Sequence, residues 1–411
     1  MKKRVLSGMM AAMLLVLVGC GASGSKDLTK GIKPLAVEER AAGTGVEAAA
    51  VTGFGVELLQ RSLAEENTLI SPVSVLTALA MTANGARGET LAQMEETLGL
   101  SVPELNSYLH AYLEQLPQEK EYTLHMANAI WFKDDAKFTV NPDFLQANAT
   151  YYDADIYQAP FNDSTVKDIN GWVNENTDGM IPQVLDEIPP AGVMYLINAL
   201  AFDAEWERIY RESQVREGTF TCEDGTEQPV ELMYSEEYRY LEDALATGVV
   251  KYYKDRNYAF AALLPKEGVS VAEYAASLTG EGLHEMLCKP SEEQVFTAIP
   301  KFETAFDVEL SEALKAMGMT DAFDMNAADF TGQGTYEDQN LYIGRVLHKT
   351  FITVDEKGTK AGAVTVVEEP TSDAPGPEEP KEVILDRPFV YLLMDCQANL
   401  PLFMGTVMNV E

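Results

Sequence analysis

The sequence predicts an α+β fold with large β-sheets. Helix signals gather in the first half, near-continuous apolar runs of strand length gather in the second, and no regular strand–helix alternation links them. That order segregates helices from sheets and argues against a doubly wound nucleotide-binding fold. Hydrophobic residues are 46% of the 411 and aromatics 9%, a globular composition.

At the N-terminus, Met1, Lys2, Lys3 and Arg4 precede an apolar run over 5–18. This is the pattern of a secretory signal, too short to span a membrane as a stable helix. Leu17-Val18-Gly19-Cys20 resembles a bacterial lipobox. It implies a lipoprotein signal peptide over 1–19, cleavage before Cys20 and lipid attachment to the Cys20 thiol. Residues 20–50 then read as a lipidated cysteine with a flexible tether, and 51–411 as one folded domain. The expected location is the extracellular face of the cell membrane, lipid-anchored or secreted.

Ser71-Pro72-Val73-Ser74 caps a helix over 75–81, with proline near the first turn. Residues 87–98 are amphipathic and stop at Gly99, and Asp168 starts a further helix closed by Asp178 and Gly179. Apolar runs over 193–202, 258–264, 388–394 and 402–407 have strand length and mark buried strands. The loosest stretch carries Pro370, Pro375, Pro377 and Pro380, and lies inside the domain.

Thirty Lys and Arg against 65 Asp and Glu give a net charge of −35. Such a surface repels nucleic acid and favours basic partners. Beyond Cys20, the cysteines Cys222, Cys288 and Cys396 are widely spaced, with no metal-binding pattern and at most one disulfide among them. The four histidines, His110, His125, His284 and His348, fall in no metalloprotease frame, and neither a nucleophile elbow nor a phosphate loop occurs. The expectation is a protein that is not an enzyme, with no catalytic residues, metal or cofactor.

The most informative stretch is 354–367. Small residues surround Gly358 and Gly362, while Thr359, Ala361, Ala363, Thr365 and Val367 share one face at period two without a charge. A loop that stays solvated has no need of an uncharged face at strand spacing. A loop destined for burial in a sheet does.

The surrounding residues resemble the serpins, a family of protease inhibitors. The fragments are Asn67 to Ser74, Ala83-Asn84-Gly85, Asn128 to Trp131, Ile169 to Trp172 with Thr177-Asp178-Gly179, Asn198 to Phe202 with Trp206, Ile299 to Phe302, Leu314 to Phe323, and Ala328 to Gly332. Each is weak alone, but all stand in the family's order. Met180 departs from the lysine usual there. The resemblance implies a serpin fold: a mostly helical first half, three β-sheets with a large central one, and an exposed reactive-centre loop at about 356–385. It implies a hinge at Glu356, Gly358, Thr359, Ala361, Gly362 and Ala363, with Lys360 where glutamate is usual. It also places Ser71, Ser74, Asn198 and His348 in a polar cluster where the large sheet must open.

The implied function is suicide-substrate inhibition of serine or cysteine endopeptidases. The protease cleaves the loop, and the freed segment inserts into the main sheet with the protease attached. Counting from the hinge puts the reactive bond at Ser372-Asp373, whereas counting back from Arg387 lands near Pro377. Small Thr371, Ser372 and Ala374 suit an elastase-like or subtilisin-like protease, and Glu368 and Glu369 a glutamate-preferring one. The expected partners are that protease, in a covalent complex, and a membrane through the lipid anchor, with the protein itself a monomer. The alternative is a non-inhibitory serpin acting as a surface binding protein.

Overall fold

The computed structural model describes residues 24–38, 45–116, 122–188, 193–336, 340–359 and 380–410. The expected signal peptide, Cys20, the expected hinge residues Ala361, Gly362 and Ala363, and the expected reactive bond Ser372-Asp373 lie outside them.

In chain order the first half holds β1 (Lys26–Asp27), α1 (Val46–Ser62), β2 (Thr68–Ile70), α2 (Pro72–Ala83), α3 (Gly88–Leu98), α4 (Val102–Gln115), β3 (Tyr122–Lys133), β4 (Phe138–Val140), α5 (Pro142–Tyr151), β5 (Asp155–Ala159), α6 (Asp163–Asn176) and β6 (Met194–Glu205). Then come β7 (Val215–Thr221), β8 (Glu227–Glu237), β9 (Tyr240–Glu242), β10 (Ala246–Tyr252), β11 (Tyr258–Pro265), α7 (Val271–Ser277), α8 (Gly280–Cys288), β12 (Val295–Pro300), β13 (Phe302–Glu309) and α9 (Ser311–Ala316). The chain closes with β14 (Gly334–Tyr336), β15 (Arg345–Val354), β16 (Gly358–Thr359), β17 (Lys381–Ile384), β18 (Phe389–Asp395) and β19 (Leu400–Val407).

The α+β class holds, with three main sheets and a small ribbon, β14-β4. The large sheet runs β1-β5-β3-β6-β16-β15-β13, a second β2-β19-β18-β11-β10-β9, and a third β17-β12-β8-β7. All four expected apolar runs are strands within them.

Ser71 caps α2, accepting from the Ser74 amide, and Pro72 opens the first turn. Every residue of α2 is buried, as expected of a helix apolar on all sides. Gly99, at φ 75°, ends α3 in the left-handed conformation. Helix α6 starts five residues before the expected Asp168. Asn162 caps it with Thr165 completing a capping box, and the polar first turn hides that start from any apolar pattern. The expected tether is also partly docked, for β1 lies on the edge of β5 and α1 begins at Val46, ahead of the expected boundary at 51.

The large sheet has two covered faces. One packs on the main core with α2, through Leu196, Leu200, Phe202, Val346, Ile352 and Val354. The other lies under α6, through Trp131, Ile169, Trp172, Tyr195, Ile197 and Leu347. A sheet buried on both sides reads as continuous apolar strands, which is why β6 was legible.

Candidate functional site

At one end of the large sheet, β6 and β15 are parallel neighbours from Arg345 opposite Tyr195 to Thr350 opposite Leu200. Beyond that point β16 enters between them. Gly358 pairs with Glu205 and Thr359 with Ala204 on one side, and Thr359 with Val354 on the other, all antiparallel. The large sheet is thus closed at its foot and opened at its head by the first two residues of the loop.

Local chemistry makes that turn. Asp355 Oδ1 accepts from the amides of Lys357 (2.7 Å) and Gly358 (3.1 Å), and the Asp355 amide donates to the Gly358 carbonyl. A Cβ at 358 would sit 2.0 Å from the Ala204 carbonyl oxygen, so only glycine fits there. Trp206 fastens the turn from the side, its amide donating to Lys357 O and its Nε1 to Asp355 O, both at 2.8 Å. The indole stacks on Tyr253 at 4.4 Å, and Tyr253 Oη meets Thr359 Oγ1 at 2.5 Å. Thr359 is fully buried.

Two ion-paired lysines flank the turn. Lys301 bridges Glu231 (3.0 Å) and Glu356 (2.9 Å), and its hydrogen bond holds the Glu356 carboxyl below its usual range. Lys251 is buried at 2.7 Å from Glu237, with its ammonium 4.5 Å from the Tyr210 ring centroid and 5.5 Å from that of Trp206. Burial pulls the Lys251 pKa down, but Glu237 and Tyr210 outweigh it and raise it. Lys251→Met is expected to cost about 3–5 kcal/mol by leaving Glu237 with no counter-charge. Denaturant melts of that variant, of Glu237→Gln and of the double variant test this, the double being less damaged than the singles sum to.

Midway down the slot lies the second cluster. The structure brings Ser71, Ser74, Asn198 and His348 together, all fully buried. The Ser71 amide donates to His348 Nε2 at 2.9 Å, and His348 Nδ1 lies 2.6 Å from Asn198 Oδ1. Asn198 Nδ2 donates to Ser74 Oγ and, at 2.5 Å, to Asn128 Oδ1 of β3. Nε2 must accept, so the ring is the neutral tautomer with its proton on Nδ1. His348 and Asn198 stand opposite each other in the β15–β6 register, so their bond closes the sheet between those two strands. Ser71 caps α2 and also joins this network.

Burial pushes the His348 pKa down to about 3. An unfolded chain, with a histidine pKa near 6.5, takes up that proton first. The stabilisation is therefore complete above about pH 6.5 and falls by about 1.4 kcal/mol per unit as the pH drops toward the folded value. Thermal melts between pH 7 and 4.5 should show a steeper acid loss for the native protein than for His348→Gln.

Of the expected hinge, Glu356, Gly358 and Thr359 stand at the head of the slot. Sequence reasoning missed Tyr253, Tyr210, Lys301, Lys251, Glu237 and Asn128 as site residues. A lysine inside the otherwise buried strand β10 was an available signal for Lys251. Among the described residues no group of three His, Cys, Asp or Glu is arranged to hold a metal.

A protein-family model described as serpin (serine protease inhibitor) matches residues 49–410. An uncharacterized serpin-like protein of Thermococcus kodakarensis is 31% identical over 372 residues, 88% of this chain and 85% of that one. The thermophilic serpin tengpin in its native state is similar with a TM-score of 0.89 at 46% identity, covering 94% of this chain and 100% of that one. In its latent state the TM-score is 0.79 at 44% identity, covering 91% and 100%. Human thyroxine-binding globulin complexed with thyroxine has a TM-score of 0.77 at 26% identity, covering 89% of this chain and 98% of that one.

Proposed function

This chain belongs to the serpin family, and from that premise we propose that it inhibits serine or cysteine endopeptidases by inserting its cleaved loop into the large sheet. The observation that carries the reading is β16, already seated between β6 and β15 with Thr359 buried.

Continuing the β16 register down the slot supports it. Ala361, Ala363, Thr365 and Val367 would face Phe202, Leu200, Asn198 and Leu196 on one side, and Ile352, Thr350, His348 and Val346 on the other. Each position suits its neighbours. Thr365 would arrive between Asn198 and His348, where a hydroxyl can replace the hydrogen bonds broken when those two part. On the opposite face, Lys360 would lie beside Asp203 and Glu368 beside Arg345, opposite charges across strands. The glutamate-to-lysine departure at 360 would thus meet a carboxylate on insertion.

The slot ends where β15 begins at Arg345 and β6 at Met194, which the same register matches to Glu368 and Glu369. A bond beyond Glu369 fits that length, so we assign cleavage to Ser372-Asp373 and favour an elastase-like or subtilisin-like target. We assign the site of action to the extracellular face of the membrane, with Cys20 lipidated. Labelled fatty acid should enter the native protein and not Cys20→Ser.

Incubation of the mature chain with a panel of serine and cysteine proteases tests the reading. The expected result is an SDS-stable complex, with the cut after Ser372 by mass spectrometry. Cleavage by every protease without a complex would favour instead a non-inhibitory surface binding protein; binding of another molecule on this fold is seen in thyroxine-binding globulin with thyroxine.

A further inference from the structure

Docking of β1 decides which end of the molecule carries the N-terminus. Strands β3 and β6 are antiparallel, with Tyr122 opposite Ala204 at the slot's head and Phe132 opposite Met194 at its foot. Strand β5 runs parallel to β3 and sets Ala159 beside Lys133, so β5 ends at the foot. Lys26 pairs with Gln158 and Asp27 with Tyr157, and Gly24 lies against Pro160. The chain therefore enters at the foot, the pole opposite Gly358 and Thr359. Twelve residues of β6 separate those poles, roughly 40 Å of strand.

The docking is light. Beyond the β1 pairing it includes the Leu28 amide on Ile156 O, the Leu35 amide on Thr150 Oγ1 (3.2 Å), Gln146 Nε2 on Lys33 O (2.9 Å) and Ser25 Oγ on Asp168, with the partly buried Leu28 side chain packed against the main core. No residue from 24 to 38 is buried. A segment with so little burial opens at low free energy.

We propose that residues 24–38 are a clipped tether. Docked, they hold the foot of the large sheet toward the lipid surface, with the head of the slot at Gly358 and Thr359 facing away. They unzip from β5 to make room when a trapped protease arrives at that foot. This rests on the loop insertion and lipid anchor proposed above. Cys20 stands four positions before Gly24, so the docked spacer reaches at most about 14 Å. A protease domain of about 220 residues is roughly 40 Å across. It cannot fit between that foot and a bilayer. With β1 released, the free chain runs from Cys20 to α1 at Val46, about 26 residues that can extend to roughly 90 Å. That suffices.

The Leu28 amide bonds Ile156 O, so Asp27 and Tyr157 form the non-hydrogen-bonded pair, whose side chains lie closest. Asp27→Cys with Tyr157→Cys should therefore lock the clip when oxidised. The native protein and this variant would be compared in solution, as the unlipidated mature chain, and on phosphatidylcholine vesicles, attached through a lipid on Cys20. An elastase-like or subtilisin-like protease serves as probe. The native protein is expected to form the complex in both settings. The oxidised variant should form it in solution but be cleaved without complex on vesicles, and be rescued there by a thiol reductant or by a Gly/Ser insert of about 20 residues before Gly24. Equal trapping by the oxidised variant on vesicles and in solution would overturn the clip. Failure of every form to trap in solution would overturn the inhibitory reading beneath it, and the clip with it.

Discussion

On the proposed inhibitory reading, Thr359→Arg is expected to turn this protein from an inhibitor into a substrate. Thr359 is fully buried, paired with Ala204 and Val354, and its hydroxyl meets Tyr253 Oη. An unpaired guanidinium in that place carries a desolvation penalty of several kcal/mol. Because Thr359 is already seated in the intact protein, the guanidinium should expel β16 from the head of the slot, and its re-entry would then carry the penalty, so the acyl-enzyme should hydrolyse before the loop enters. Gel electrophoresis would then show cleaved inhibitor and free protease in place of the covalent complex. Thr359→Ser, which keeps the hydroxyl, should retain trapping. A full-strength complex from Thr359→Arg would count heavily against loop insertion.

Nicking the loop at Ser372-Asp373 should make the molecule markedly more heat-stable. In the intact chain β6 and β15 share one short parallel ladder below β16. An inserted strand replaces it with two antiparallel ladders and buries Ala361, Ala363, Thr365 and Val367. About a dozen added hydrogen bonds at about 1 kcal/mol each, with apolar burial, give on the order of 10 kcal/mol. With an unfolding entropy of about 2 cal/mol/K per residue, a domain of this size should gain roughly 13 °C in Tm. The intact fold is on this account held kinetically above a more stable one. Calorimetry of nicked and intact protein decides the matter, and an unchanged Tm would remove the basis for the mechanism.

Much of this architecture was legible residue by residue. The buried strands β6, β11, β18 and β19 show as apolar runs, α2 as a proline-capped apolar segment, and α3 as an amphipathic run ending at glycine. The uncharged alternation from Thr359 to Val367 is likewise a property of consecutive side chains. The four polar residues Ser71, Ser74, Asn198 and His348 were grouped by family resemblance, and the structure joins them through hydrogen bonds. The start of α6 was missed because its first turn, Asp163, Ser164 and Thr165, carries no apolar side chain, and docking of β1 left no apolar trace.

By itself, then, the sequence determined the buried strands β6, β11, β18 and β19, the helices α2 and α3, and which loop face can be buried. Tertiary structure alone decided that β16 wedges open the head of the slot, that Tyr253 meets Thr359, that Lys301 holds Glu356, and that the N-terminus leaves at the foot. The reason is physical. Periodicity records how a side chain repeats along its own strand or helix. The partner across a sheet is set by register between segments more than a hundred residues apart, such as Thr359 and Tyr253, and no local pattern carries that register.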